Sequence, residues 1–236
     1  MESLLSWVNP LSPTSSYNER ELINLKTLYI HHNNQLTKIP KELSLLINLE
    51  RLGLHYNQLT KIPKELSLLI NLKILYLNNN QLTKIPKELS LLINLKELSL
   101  RNNHLTKIPK KLSLLTNLEI LYLNNNQLTK IPKELSLLIN LKHLYLDYNQ
   151  LTKIPNIFLN LINLESLFLG SNPGITTPLR FINYLNFAII INKLQNYLLI
   201  KKYYTKWRAI IISKRSPKSY KEILILQSYI SRRFII

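Results

Sequence analysis

Cysteine is absent from this chain of 236 residues. Disulfides, thiolate metal sites and a cysteine nucleophile are thereby excluded. An extracellular protein of this size and repeat character is often tied by disulfides, so the absence leans toward an intracellular, cytoplasmic protein. Glycine is scarce, at three residues. That argues against folds needing many left-handed turns and against Gly-rich phosphate loops. Long hydrophobic runs are also missing. Phe187 to Ile191 is the longest apolar stretch near the C-terminus, and a spanning helix needs roughly 20 such residues. Residues 1–10 contain Glu2 and no basic residue, which does not resemble a signal peptide.

Acidic residues are rare in one region only. Residues 176–236 hold 12 of the 31 Lys and Arg residues but a single acid, Glu222, of the 13 in the chain. The formal net charge is +18, and such asymmetry favours an anionic partner. A competing cause is base composition, since Lys, Asn, Ile and Tyr are residues of AT-rich codons.

What the sequence has in abundance is repetition. Units begin at Leu25, Leu49, Leu72, Leu95, Leu118, Leu141 and Leu164, and Pro40, Pro63, Pro86, Pro109, Pro132 and Pro155 recur every 23 residues. The unit from Leu72 reads LKILYLNNNQLTKIPKELSLLIN. Leu75 and Leu77 share one face of a strand, because strand side chains alternate, and Tyr76 points the other way. Asn80 and its equivalents Asn57, Asn103, Asn126, Asn149 and Asn172 follow the strand. An amide there can bond the open backbone groups of a turn, so these residues are expected to form an asparagine ladder. Proline then suits the first position of a short helix or 3₁₀ turn, on which Leu89 and Leu92 face inward. Each unit thus carries seven inward apolar residues, which only stacking can bury.

Within the unit, L-x-x-L-x-L-x-x-N-x-L resembles the leucine-rich-repeat family over roughly residues 22–187. The half-repeat I-P-x-x-L-x-x-L-x-N is similar to intracellular Ras-binding and scribble-type scaffolds of that family. The resemblance implies an α/β repeat: a right-handed solenoid with a parallel sheet on the concave face, and binding rather than catalysis. The expected organisation is an N-terminal cap at 1–24, about seven repeats at 25–186, and a basic helical segment at 187–236. Leu4, Leu5, Trp7 and Val8 are candidates to cover the first repeat. The first unit has one extra residue around His32–Gln35, and the seventh shifts by one before Ile175 and before Pro178. Terminal repeats deviate because they cap the core. Helical spacing predicts helices at roughly 179–213 and 217–234. They either cover the last repeat or form an arm, residues 193–215, that contacts anionic membrane or nucleic acid.

Chemistry is sparse. His31 and His55 occupy equivalent positions on adjacent strands, roughly 5 Å apart, but lack a third ligand, so no metal is expected. No nucleophile and base, acidic pair or nucleotide fingerprint stands at usable spacing. No catalytic residue, cofactor or small-molecule substrate is therefore expected. The concave surface carries the better signal. The position between the strand leucines reads Tyr29, Gly53, Tyr76, Ser99, Tyr122, Tyr145 and Phe168. Beside it stand His31, His55 with Tyr56, Arg101, and Asp147 with Tyr148. Aromatic residues and arginine suit a protein-binding face, and a tyrosine ladder that only stabilises its own strands is the alternative. Lys26, Glu50, Lys73, Lys96, Glu119, Lys142 and Glu165 are expected to pair across neighbouring units. Leu45, Leu68, Leu91, Leu114 and Leu137, where the family usually has a small or polar residue, should form an apolar stripe on the convex side.

Overall fold

The computed structural model describes residues 2–11, 16–31, 36–153, 160–161 and 163–175. The helices expected at 179–213 and 217–234, and the basic arm at 193–215, lie outside the described residues.

Seven three-residue strands form one parallel sheet in chain order. They are β1 (Thr27–Tyr29), β2 (Arg51–Gly53), β3 (Ile74–Tyr76), β4 (Glu97–Ser99), β5 (Ile120–Tyr122), β6 (His143–Tyr145) and β7 (Ser166–Phe168). Register follows the sequence period. Leu52 pairs with Leu75, Leu75 with Leu98, and Leu98 with Leu121. The side chains of one column therefore sit one strand spacing apart, about 4.8 Å.

Opposite the sheet runs a row of short 3₁₀ helices: Lys41–Leu45, Lys64–Leu68, Lys87–Leu91, Lys110–Leu114 and Lys133–Leu137. Proline precedes each of them rather than opening it. Pro40, Pro63, Pro86, Pro109 and Pro132 are N-caps with extended backbone, ψ between 136° and 143°. The fixed proline φ suits that extended approach equally well, and the ring supplies no side-chain cap. The inward positions of the repeat, Leu72, Leu75, Leu77, Leu82, Ile85, Leu89 and Leu92, are all buried, and their equivalents join them in one continuous core. This is a leucine-rich-repeat solenoid.

At the N-terminal end, α1 (Glu2–Val8) buries Leu4 and Val8 in the same core, with Leu5 and Trp7 packed against it. The helix α2 (Glu19–Ile23) begins with a capping box. Asn18 Oδ1 accepts from the Glu21 amide, and the Glu21 carboxylate accepts from the Asn18 amide.

Candidate binding surface

The strand leucines point into the core, so the residues flanking them line the outer face of the sheet. In β3 these are Ile74 and Tyr76, on either side of buried Leu75. The aromatic column is not a row of independent rings. Tyr122 stacks on Tyr145 at 4.5 Å, and Tyr145 on Phe168 at 4.6 Å, with interplanar angles of 17° and 5°. The column breaks at β2 and β4. A Cβ on Gly53 would collide with the Tyr29 ring, which leans over it, and Ser99 is small and buried. Tyr122, Tyr145 and Phe168 are half-buried in this stack and Tyr76 is half-buried apart from it, whereas Tyr29 is exposed.

A second group lies just past the strands. His31 and His55 stack at 4.6 Å, and His55 meets Tyr76 edge-on at 6.0 Å. Among the described residues no cluster of three His, Asp or Glu could hold a metal ion. Arg101 is exposed. Asp147 is half-buried, and burial pushes its carboxyl up, against the Arg101 charge and a hydrogen bond from Asn124. Tyr56 and Tyr148 are exposed and hold left-handed backbone, with φ of 55° and 54°. In the intervening repeats Asn79, Asn102 and Asn125 take that conformation. Arg101 and Asp147 stand two repeats apart and form no ion pair within 4 Å.

One column of the face escaped the sequence reading. Thr27, Arg51, Ile74, Glu97, Ile120, His143 and Ser166 open the strands and point outward beside the aromatics. Period-two alternation was the available signal, since these residues precede each Tyr-column position by two. Glu97 acts on its neighbour: burial, reinforced by the Glu97 charge and hydrogen bond, pushes the Tyr76 phenol up to about 12. Tyr76 is thus a neutral donor to a carboxylate at physiological pH. Burial likewise raises the Tyr122 phenol, with Tyr145 next in influence.

The charged column that begins with Lys26 lies one residue before the strands. Glu50 pairs with Lys26 at 3.5 Å and Lys73 at 2.7 Å, and Glu119 pairs with Lys96 at 3.4 Å and Lys142 at 2.6 Å. Each glutamate is held below the usual carboxylate range, chiefly by its hydrogen-bonded lysine. Glu165 instead faces His143 at 3.8 Å.

A model of the leucine-rich repeat matches residues 23–82, 70–128 and 116–173. The chain belongs to the leucine-rich-repeat family. No curated protein matches it. Among solved structures, it is similar to the leucine-rich-repeat ectodomain of the Arabidopsis thaliana membrane receptor kinase GASSHO1/SCHENGEN3, solved in complex with CASPARIAN STRIP INTEGRITY FACTOR 2. Identity is 39% and the TM-score 0.60, over 64% of this chain and 19% of that one. A leucine-rich-repeat protein of Leptospira interrogans is 40% identical, with a TM-score of 0.50, over 64% of this chain and 44% of that one. The plant peptide hormone receptor RGFR1, in complex with RGF2, is 33% identical with a TM-score of 0.58, over 62% and 24%. The chain thus spans less than half the length of each of these relatives. Leucine-rich repeats are typically interaction modules.

Proposed function

We propose that this protein is a non-catalytic scaffold whose concave face binds a protein partner. The observation that carries the reading is the stacked aromatic column Tyr122, Tyr145 and Phe168, with a separate His55–Tyr76 pair beyond Ser99 on the same face. Rings fixed by stacking lose little freedom on binding and offer large amphipathic contact area. Arg101, Asp147, Tyr56 and Tyr148 border that column and supply polar selectivity. Relatives solved with bound ligands, the GASSHO1/SCHENGEN3 ectodomain and RGFR1, support a protein or peptide partner. The test is affinity capture with the wild type beside a variant carrying Tyr76→Ala, Tyr122→Ala and Tyr145→Ala. Loss of specific partners is expected. An unchanged set of captured proteins sinks the reading.

An intracellular signalling role of the Ras-binding scaffold kind is a finer form of the same proposal. It rests on the I-P-x-x-L-x-x-L-x-N half-repeat and on the lack of cysteine. A second reading draws on the charge of residues 176–236, with one acid against 12 bases: residues 193–215 contact an anionic membrane or nucleic acid. A peptide of residues 190–216, titrated with anionic vesicles and with RNA at two salt concentrations, tests it. Absence of binding at low salt ends it.

A further inference from the structure

The 3₁₀ helices of successive repeats pack side by side, and their outward positions are apolar. Leu45, Leu68, Leu91, Leu114 and Leu137 are 48–55% exposed. Two residues on, Ile47, Ile70, Ile93 and Ile139 form a second row, 49–55% exposed, interrupted by Thr116. Single exposed leucines mean little, but a contiguous patch does not persist without a reason. At half exposure each, these nine side chains present roughly 800 Å², above the few hundred Å² usual for the largest patch on a monomer. That is about what each partner contributes to a stable standard-size interface.

We propose that this helical face is a two-fold interface between two copies of the chain. A row of identical side chains at constant step is its own complement when a second copy is turned by half a turn about the row's midpoint. Leu91 then meets Leu91 of the second copy, Leu68 meets Leu114, and Leu45 meets Leu137. The row also has ends. The position equivalent to Leu45 is Glu21 before the first repeat and Asn160 in the sixth, so the leucine row covers five repeats and stops at polar residues on both sides, while the isoleucine row reaches Ile23, 39% exposed. A finite stripe centred on one residue closes as a dimer and does not continue into a filament.

Polar residues frame the stripe on both flanks. One flank carries the first-turn pairs Lys64 and Glu65, and Lys87 and Glu88. The other carries the exposed Asn71 and Asn94. The half-turn that reverses the row keeps each flank on its own side, so Lys64 and Glu65 of one copy face Lys110 and Lys111 of the other, and asparagine faces asparagine. A membrane suits the stripe less well. It contains no aromatic anchor, and along its edge Lys41, Lys64, Lys87 and Lys133 each stand beside a glutamate, so the edge offers anionic lipid little unbalanced positive charge. This inference is independent of the concave-face reading, because the two surfaces lie on opposite sides of the core.

The test is sedimentation of the full chain across a concentration series at low and high salt. A dimer is expected that strengthens with salt, because salt screens repulsion between two copies of charge +18 and favours apolar burial. Leu68→Asn, Leu91→Asn and Leu114→Asn together should weaken it more than tenfold while the circular dichroism spectrum is retained. Leu91→Asn alone, which alters the least, covers the case in which the triple variant does not fold. Geometry is read by oxidative cross-linking, which the cysteine-free background makes clean. Leu91→Cys should form a covalent dimer with itself. Leu45→Cys and Leu137→Cys should link only when mixed. A wild type that is monomeric throughout, a dimer that survives the asparagine substitutions, or cross-linking that ignores this pairing would each overturn the proposal. So would a monomer that binds anionic vesicles through the stripe and releases them at high salt.

Discussion

Two rows of asparagine run through the solenoid at the same period, and they perform the same chemistry in different surroundings. The inner row, Asn57, Asn80, Asn103, Asn126, Asn149 and Asn172, is buried, at 1–7% exposure. Asn103 is typical. Its Nδ2 donates to Leu77 O at 3.0 Å, Leu100 O at 3.1 Å and Arg101 O at 3.2 Å, and its Oδ1 accepts from the Leu82 amide at 2.9 Å. The outer row, Asn48, Asn71, Asn94, Asn117, Asn140 and Asn163, is exposed apart from half-buried Asn48. Asn94 makes one such bond, from Nδ2 to Ile70 O at 2.8 Å. Each row ties every repeat to the one before. The difference teaches that a period in the sequence marks a structural duty, while burial sets its energetic weight. Where water is excluded, no other partner can replace the amide.

The largest expected effect breaks the inner row at its centre. Asn103→Ala strands the Leu82 amide in a site closed to water, while Leu77 O, Leu100 O and Arg101 O each lose one of two donors and keep Asn80 Nδ2, Asn126 Nδ2 and the Asn79 amide. A loss of about 1–3 kcal/mol is expected, the cost of one buried unpaired group. Urea unfolding measures it. A loss below that of an exposed substitution would contradict the role assigned to burial. The next prediction sharpens the comparison within the row. Asn57 donates to Ile30 O, Leu54 O and His55 O, but its Oδ1 has no partner. In the later repeats that oxygen accepts from an amide of the preceding unit, as Asn80 does from Leu59 at 2.9 Å. The matching amide in the first unit is that of Leu36, which follows the one extra residue of that unit in the sequence. Asn57→Ala should therefore cost about 1 kcal/mol less than Asn103→Ala, in the same urea measurement.

The inner row was legible in the sequence because it obeys both a strand rule and a turn rule. Alternation sent Leu75 and Leu77 inward, and the amide after them had a backbone to satisfy. The outer row was present in the same letters, as the final Asn of I-P-x-x-L-x-x-L-x-N. Its bond to the carbonyl of the previous repeat follows from stacking geometry, which a period alone does not contain. Proline was assigned to the right turn and the wrong position, since Pro40 and its equivalents stand before the 3₁₀ helix. Both positions accept the proline φ, so the ring could not decide between them. On the candidate face, the Tyr column was legible, while the stacking of Tyr122, Tyr145 and Phe168 was not, because rotamers depend on neighbours. The column opened by Arg51, Ile74 and Glu97 mixes charged, apolar and polar residues and so has no compositional signature, unlike the charged residues one position earlier, such as Glu50 and Lys73.

The outer row supplies the third test. Asn94→Ala removes one exposed bond, and water can occupy the freed Ile70 carbonyl. A cost of about 0.5–1 kcal/mol is expected, the lower range for a single hydrogen bond. If urea unfolding instead places it level with Asn103→Ala, burial is not what separates the two rows.

The smallest effect carries the opposite sign and concerns the turn that offers its carbonyls to the inner row. The residue before each ladder asparagine is left-handed, with φ between 52° and 55°. Asparagine tolerates that backbone because its short amide bonds locally, whereas a bulky side chain is strained there. Asn79, Asn102 and Asn125 meet the requirement, and Tyr56 and Tyr148 do not. Tyr148 is 58% exposed, so little packing is lost on replacing it. Its amide bond to Gly170 O at 2.9 Å belongs to the backbone and survives the change. Tyr148→Asn should therefore stabilise the protein by about 0.5 kcal/mol, read as a small rise in the urea midpoint. The reciprocal Asn125→Tyr should lower it by a similar amount. If both substitutions destabilise, the tyrosine is held by contacts that outweigh its backbone strain, and the turn is not the weak point of the inner row.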